Sequence, residues 1–147
     1  MALVILTLVG AVIAAVVGTL WYSQSTPMGK IHMRSMGFDT LSDAEKKKKM
    51  EEGKAMMGKM YTAQILLSLL TSFAVVFIVT ESLANGLTLP MAIGFVLFNW
   101  LTFMVPVIGT QILWSSCDRS LAWKKFFSDI FENLVTVILV AIVAGIF

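Results

Sequence analysis

The stretch that decides the fold lies at the start of the chain, residues 2–30, ALVILTLVGAVIAAVVGTLWYSQSTPMGK. Residues 1–20 carry no charge, and two aromatic residues, a proline and the first lysine then follow at Trp21, Tyr22, Pro27 and Lys30. About 20 apolar residues form a helix long enough to cross a bilayer core. Trp and Tyr are enriched at the headgroup level. This order predicts a membrane span that ends on the side where the lysine lies.

The composition of the whole chain agrees with a membrane protein. Of its 147 residues 58% are apolar and 14% are charged, whereas soluble proteins average about 45–50% apolar and about 25% charged residues. The single cysteine, Cys117, excludes an internal disulfide. The single histidine, His32, excludes a cysteine and histidine zinc cluster.

Four apolar stretches are long enough to span a bilayer. They cover about residues 2–22, 61–80, 91–114 and 126–147, and the fourth contains the only two charges, Asp129 and Glu132. Because backbone polar groups must pair internally in lipid, each stretch is expected to be helical. The sequence predicts an all-α integral membrane four-helix bundle with up-down topology, forming one domain over residues 1–147.

The basic residues predict the orientation. Residues 23–60 hold eight of the eleven Lys and Arg residues, and residues 115–125 hold the other three. The turn at 81–90 holds none. Cationic connections stay in the cytoplasm, so we expect a cytoplasmic hairpin at 23–60 and both termini on the non-cytoplasmic side.

The hairpin itself is predicted to contain an amphipathic helical segment. Residues 42–45, SDAE, match a capping box, and the helix that follows is expected to continue into the second span. Lys46–Lys49 are expected to be solvated or to face anionic lipid headgroups. A basic run beside a span is a topology and lipid signal, so nucleic-acid binding is not expected.

Methionines near His32 raise the question of a metal. Met33 and Met36 carry soft thioether ligands of the kind that bind Cu(I). The same spacing is typical of a short amphipathic helix over residues 28–36 that lies in the interface. We favour the helix, and we expect no metal and no cofactor.

Three groups of residues are candidates for a structural or functional role inside the membrane. The first group consists of aromatic interface anchors: Trp21, Tyr22, Trp114 and Trp123. The second is a stripe of small residues that allows close helix approach: Gly10, Ala14 and Gly18. The third is a set of residues for helix packing or a polar path through spans three and four: Asn99, Thr102, Pro106, Asp129, Glu132 and Asn133.

The two carboxylates of the fourth span are the most suggestive of that last group. Ionisable groups at membrane depth often mark ion or proton paths, but Glu132 lies only about 9 Å beyond Phe126 along a helix. Glu132 is therefore expected still to reach Arg119, Lys124, Lys125 or water. A structural salt bridge or an interfacial carboxylate is favoured over transport. Pro106 is expected to kink the third span. No catalytic residues are predicted, because His32 would have to meet a serine at membrane depth and Cys117 has no histidine near it in sequence.

Several motifs resemble one known family over nearly the whole chain. They are LWYS at 20–23, PMGK at 27–30, MGF at 36–38, GFVLFNWLTFMVP at 94–106 and RSLAWKKFFSDIFENLV at 119–135. They resemble the small four-span membrane family catalogued as domain of unknown function 1761. Gln24 stands where that family's pattern has a proline, which here comes at Pro27. The resemblance implies a four-span integral membrane protein and brings no activity.

Two classes of function fit these features. The first is a structural or interaction module, either an accessory subunit of a membrane complex or a self-assembling bundle, with the basic hairpin as its docking surface. The second is a small oligomeric transporter or channel whose path is lined by spans three and four. Conduction normally requires polar groups at the midplane. Span three offers only Asn99 and Thr102 there, which favours the interaction module.

Overall fold

The structure, a computed structural model, describes residues 1–115 and 118–147, except for the side chains of Met50, Ala55 and Met57. It contains six α-helices, and no strand occurs in these residues. The helices are α1 (Ala2–Trp21), α2 (Pro27–Ser35), α3 (Asp43–Ala84), α4 (Leu89–Asn99), α5 (Val105–Leu113) and α6 (Arg119–Ile146). A 3-10 turn at Phe38–Thr40 precedes α3, and a π turn at Trp100–Met104 joins α4 to α5.

Four helical stretches are long and apolar enough to cross a membrane, which confirms the predicted number of candidate spans. They are Ala2–Trp21, Gly58–Ala84, Leu89–Leu113 and Arg119–Ile146. The helix of the fourth candidate span, α6, begins at Arg119, whereas the apolar stretch predicted for that span begins at Phe126. Its start is fixed by Asp118, whose carboxylate accepts the Leu121 N–H at 3.1 Å as an N-cap.

The longest helix, α3, runs without a break from the basic hairpin through the second span. The predicted capping box is present: the Ser42 hydroxyl accepts the Glu45 N–H, and the Glu45 carboxylate accepts the Ser42 N–H at 2.8 Å. The Ser42 hydroxyl also donates to the Glu45 carboxylate at 2.6 Å, and this bond together with the one from the Ser42 N–H holds the pKa of Glu45 below its usual range. With 42 residues, α3 is about 63 Å long.

The packed core lies along α3 and α6, and α1 and α4 each contact both of these helices. Val76, Val79, Ala92 and Ala141 are completely buried in this core. The short helices α2 and α5 also lie against α6, so α6 contacts all five other helices.

Small residues set how closely the helices approach. A Cβ added at Gly10 of α1 would overlap the Ser72 hydroxyl of α3 and would lie 2.9 Å from a methyl group of Val140 on α6. Farther along α1, Gly18 faces Glu132, and Tyr22 bonds to Asp129. As the α1 residue number rises from 10 to 22, the number of its partner on α6 falls from 140 to 129. The two helices are therefore antiparallel.

The third span is interrupted by the π turn rather than by a simple proline kink. The N–H of Val105 bonds to the carbonyl of Trp100, five residues earlier. Pro106 follows at the second position of α5 and has no N–H to donate to the preceding turn. The wider turn directly before Pro106 accommodates that missing bond.

Candidate functional site

Polar side chains of α1 and α6 bond to each other at the end of the bundle next to the lysine-rich hairpin, here called the basic end. The indole Nε1 of Trp21 donates to Ser128 Oγ at 3.1 Å. The Tyr22 hydroxyl donates to Asp129 Oδ1 at 2.8 Å. Two consecutive residues at the end of α1 are thus bonded to two consecutive residues of α6.

A tight turn after α1 brings α2 back beside these contacts. The Thr26 hydroxyl accepts the Gly29 N–H at 2.9 Å as the N-cap of α2 and donates to the Trp21 carbonyl at 2.7 Å. Pro27 fits the first helical position because its missing N–H would have no partner there. Gly29 is buried with no space for a side chain, since a Cβ would overlap the Ser23 carbonyl oxygen.

Asp129 is the centre of the basic end. One carboxylate oxygen accepts the Tyr22 hydroxyl, and the other pairs with Lys125 one turn earlier on α6. An ion pair is therefore present at Asp129, one of the two carboxylates that the sequence places near the start of span four. Charge-assisted contacts of this kind are about twice as strong as neutral hydrogen bonds.

His32 of α2 completes this group of titratable residues. Its ring lies 5.0 Å from the Tyr22 ring, centre to centre, and its Nδ1 is buried without a hydrogen-bond partner among the described residues. Burial lowers the pKa of His32, the charge of Lys125 lowers it further, and Asp129 opposes both effects. No feature of the sequence indicates that His32 lies beside span four.

A small cavity of about 170 Å³ opens on the other side of the ion pair, between α5 and α6. Its polar wall includes Gln111, Lys125 and Asp129, and its apolar wall includes Ile108, Ile112 and Phe126. Water occupies about 30 Å³ per molecule in the liquid, so the cavity has room for a few waters beside Asp129. No group of three or more metal-ligating side chains occurs in the described part of the chain.

One turn deeper, Glu132 has a different environment from Asp129. It accepts the Thr136 hydroxyl at 3.2 Å, and a Cβ at Gly18 would lie 3.7 Å from its Oε1. The neighbouring Asn133 Oδ1 is buried without a partner among the described residues, as is Trp100 Nε1 in the π turn.

The polar residues of the third span are satisfied by their own helix. The Asn99 amide donates to the Phe95 carbonyl at 2.9 Å, and the Thr102 hydroxyl donates to the Phe98 carbonyl at 2.8 Å. Thr102 and Pro106 lie on the exposed surface of the bundle. Within the described residues, no hydrogen bond joins Asn99 or Thr102 to Asp129 or Glu132.

The four aromatic residues expected at the interface fall into two pairs. Trp114 is 84% exposed and Trp123 is 47% exposed, with the Trp123 ring edge-on to Phe126 at 5.5 Å. Trp21 and Tyr22 are half-buried and bonded to α6. Trp21 and Tyr22 therefore join α1 to α6, in addition to any role as interface anchors.

The remaining predicted residues lie on the flanks of this site. Ala14 is half-buried on α1, between Gly10 and Gly18. In the lysine run, Lys47, Lys48 and Lys49 are exposed and Lys46 is partly covered. Lys46 lies 3.5 Å from Asp43, Lys48 lies 4.0 Å from Glu52, and Lys49 lies over the Phe38 ring.

Comparison with known proteins gives a family and no activity. No curated protein and no solved structure matches this chain. The family described as Protein of unknown function (DUF1761) matches residues 5–145, which is nearly the whole sequence and agrees with the resemblance of its motifs. The chain belongs to the DUF1761 family, and it carries four candidate membrane helices.

Proposed function

We propose that the chain is a structural or interaction module of a membrane, which assembles with itself or serves as an accessory subunit of a larger complex. The observation that carries this proposal is the closed apolar core beyond the basic end. Val76, Val79, Ala92 and Ala141 are fully buried there, and Val140 is 2% exposed. These apolar side chains fill the centre of one copy, where the buried polar residues Ser72 and Thr136 are uncharged.

The proposed arrangement in the membrane is an up-down bundle. The hairpin at 23–60 lies in the cytoplasm and both termini lie on the opposite side. The distribution of the eleven Lys and Arg residues supports this orientation. The antiparallel register of α1 and α6 supports the topology.

The docking surface in this proposal is the part of α3 that precedes the second span. Asp43 to the span start at Gly58 is about 15 residues, or about 22 Å of helix beyond the lipid core. Lys47, Lys48 and Lys49 are exposed on it. An exposed basic surface next to a membrane suits anionic headgroups or an acidic partner segment.

Native-gel migration tests the docking surface. The chain is extracted in mild detergent, and a complex larger than the bundle is expected for the natural sequence. Replacing Lys46, Lys47, Lys48 and Lys49 by Gln is expected to abolish that complex, since the four charges are lost. The matched control replaces the same four lysines by Arg and is expected to retain the complex. Equal migration of the Gln and Arg variants would contradict a role for these charges.

A second function, an oligomeric carrier or channel lined by spans three and four, is favoured by the polar groups at and next to the π turn. Thr102 is exposed and Asn99 is half-buried, on a surface that a second copy can cover. π turns are frequent at functional sites. Liposomes containing the purified chain are expected to show no ion or proton flux above empty vesicles. A flux that the Glu132→Gln variant abolishes would overturn the interaction module in favour of the carrier.

A further inference from the structure

The two carboxylates of the fourth span lie one turn apart and have opposite kinds of partner. Asp129 pairs with Lys125 and accepts the Tyr22 hydroxyl. Glu132 accepts one hydroxyl, from Thr136 at 3.2 Å. No cation lies within 4.0 Å of the Glu132 carboxylate in residues 1–115 and 118–147.

Glu132 is half-buried on the part of α6 that packs against α1. It is six residues beyond Phe126, or about 9 Å deeper along α6. Gly18 of α1 lies close to it: a Cβ added at Gly18 would be 3.7 Å from Glu132 Oε1. The next residues of this face of α6, Thr136, Val137 and Val140, are at most 4% exposed. Glu132 is thus the last charged group before the apolar core.

The charged and titratable groups around Glu132 do not supply a counterion. On α6 the nearest is Asp129, which has the same sign, and Lys125 is already paired with it. The end of α1 brings the Tyr22 phenol, and α2 brings His32, whose neighbours are Tyr22, Lys125 and Asp129. The buried polar residues that α3 contributes, Ser68 and Ser72, are uncharged.

An ionised carboxylate without a cation is costly in hydrocarbon, and such groups usually become neutral by binding a proton. The one hydroxyl that Glu132 accepts, from Thr136, replaces only part of the lost hydration of an ionised carboxylate. A protonated Glu132 keeps the bond from Thr136 on one carboxyl oxygen and carries the proton on the other. The cavity beside Asp129 has room for water, and Asp129 lies one helical turn before Glu132 on α6.

We propose that Glu132 is a reversible proton-binding site within the membrane, while Asp129 stays ionised beside Lys125. The ligand is a single proton, taken from water at the basic end and returned to it. The site is separate from the basic surface of α3. It holds whether the bundle assembles with other proteins or not, so its failure would leave the docking proposal untouched.

Carbodiimide labelling tests the proposal on the natural chain in lipid nanodiscs. A protonated carboxyl adds across a carbodiimide to give an O-acylisourea, which rearranges to a stable N-acylurea, and no other reactant is needed. The hydrophobic reagent dicyclohexylcarbodiimide is expected to modify Glu132, with the yield falling as the pH is raised. Peptide mass spectrometry locates the adduct. A water-soluble carbodiimide serves as the control and is expected to leave Glu132 unmodified.

Infrared difference spectroscopy on the same samples provides a second measurement that needs no reagent. The chain has nine Asp and Glu residues, so the band of Glu132 is obtained as the difference between the natural chain and the Glu132→Gln variant. This difference band is expected in acid, is expected to disappear as the pH is raised, and should be retained when Asp129→Asn is compared with the double variant. Glu132 that stays unlabelled at every pH, labelling that does not change with pH, or the absence of a difference band between the natural chain and Glu132→Gln would each overturn the proposal.

Discussion

The two ends of the bundle are held together by different kinds of contact. At the basic end, side chains 107 residues apart in sequence are joined by hydrogen bonds, Trp21 to Ser128 and Tyr22 to Asp129. Toward the opposite end, glycines allow close approach: Gly10, near the middle of α1, faces Ser72 and Val140, and Gly145 of α6 faces Leu89. One polar bond, from Ser72 to the Thr7 carbonyl at 2.8 Å, crosses helices near the apolar end.

This difference shows how a small membrane bundle divides its contacts. Lipid provides no hydrophobic driving force between helices, so close packing and polar contacts must hold them together. Interhelical hydrogen bonds in membranes contribute only about 0.6 kcal/mol on average. We therefore expect the apolar end to supply most of the packing stability, while the basic end positions the hairpin and α2.

The largest expected effect concerns which side of the membrane each end occupies. In a Cys117→Ser background, Asn85→Cys is expected to react with a membrane-impermeant maleimide in intact cells. Ser25→Cys is expected to react only after permeabilisation, because positive hairpins stay inside. Both positions are exposed in the bundle. The reverse pattern of labelling would contradict the proposed orientation, and labelling of both positions in intact cells would contradict the membrane topology.

Filling the closest helix approach is expected to destabilise the apolar end most. Gly10→Leu places carbons on Ser72 and Val140, and overpacking of this kind typically costs about 1–3 kcal/mol. Loss of helix signal on titration with sodium dodecyl sulfate measures the change. Gly94→Leu on α4 is the control, since a Cβ there meets nothing within 4 Å. Equal losses for both variants would contradict the close approach of α1 to α3 and α6.

Single hydrogen bonds at the two ends are expected to have smaller and similar effects. Tyr22→Phe removes the bond to Asp129, and Ser72→Ala removes the bond to the Thr7 carbonyl. Each variant should lower the free energy of unfolding by about 0.6 kcal/mol, and by no more than about 1.7 kcal/mol. The same detergent titration measures both. A Tyr22→Phe effect larger than that of Gly10→Leu would reverse the division between the two ends.

The smallest effect is a pH dependence confined to the basic end. The pKa of His32 is lowered from its ordinary value of 6.5 by burial and by Lys125, against the opposing charge of Asp129. The unfolded chain therefore binds this proton more readily. The stabilising contribution is present above pH 6.5 and is lost as the pH falls through the lowered value.

Unfolding measured as a function of pH tests this dependence. The slope due to His32 is at most about 1.4 kcal/mol per pH unit. His32→Gln should flatten the curve below pH 6.5, whereas Gly94→Leu should leave its shape unchanged. If the free energy of unfolding of His32→Gln keeps the same slope with pH, the slope belongs to another titratable group.

Features that depend on local sequence were predictable in this chain. The capping box at Ser42 and Glu45 and the unbroken helix into span two were predicted from neighbouring residues, and both are present. The number of candidate spans follows from apolar length and is also confirmed. The start of α6 at Arg119 was missed because the charged residues before Phe126 suggested a connection, whereas Asp118 caps a helix there.

Contacts between distant residues were not predictable from the sequence. Trp21 and Tyr22 have the composition of interface anchors, and nothing in their spacing indicates that they meet Ser128 and Asp129. The approach of His32 to Tyr22 depends on the tight turn at Thr26 and Gly29. A kink was expected at Pro106, and no sequence signal indicated the π turn at Trp100–Met104 that precedes it.

The unbroken course of α3 has a mechanical consequence. At about 63 Å it is roughly twice the thickness of the hydrocarbon core, and one continuous helix extends from Asp43 in the basic hairpin to Ala84. Ser72 lies on this helix, where it bonds to α1. We expect a force on the protruding part of α3 to reach the contact between α1 and α3 directly, because no loop interrupts the helix between Asp43 and Ser72.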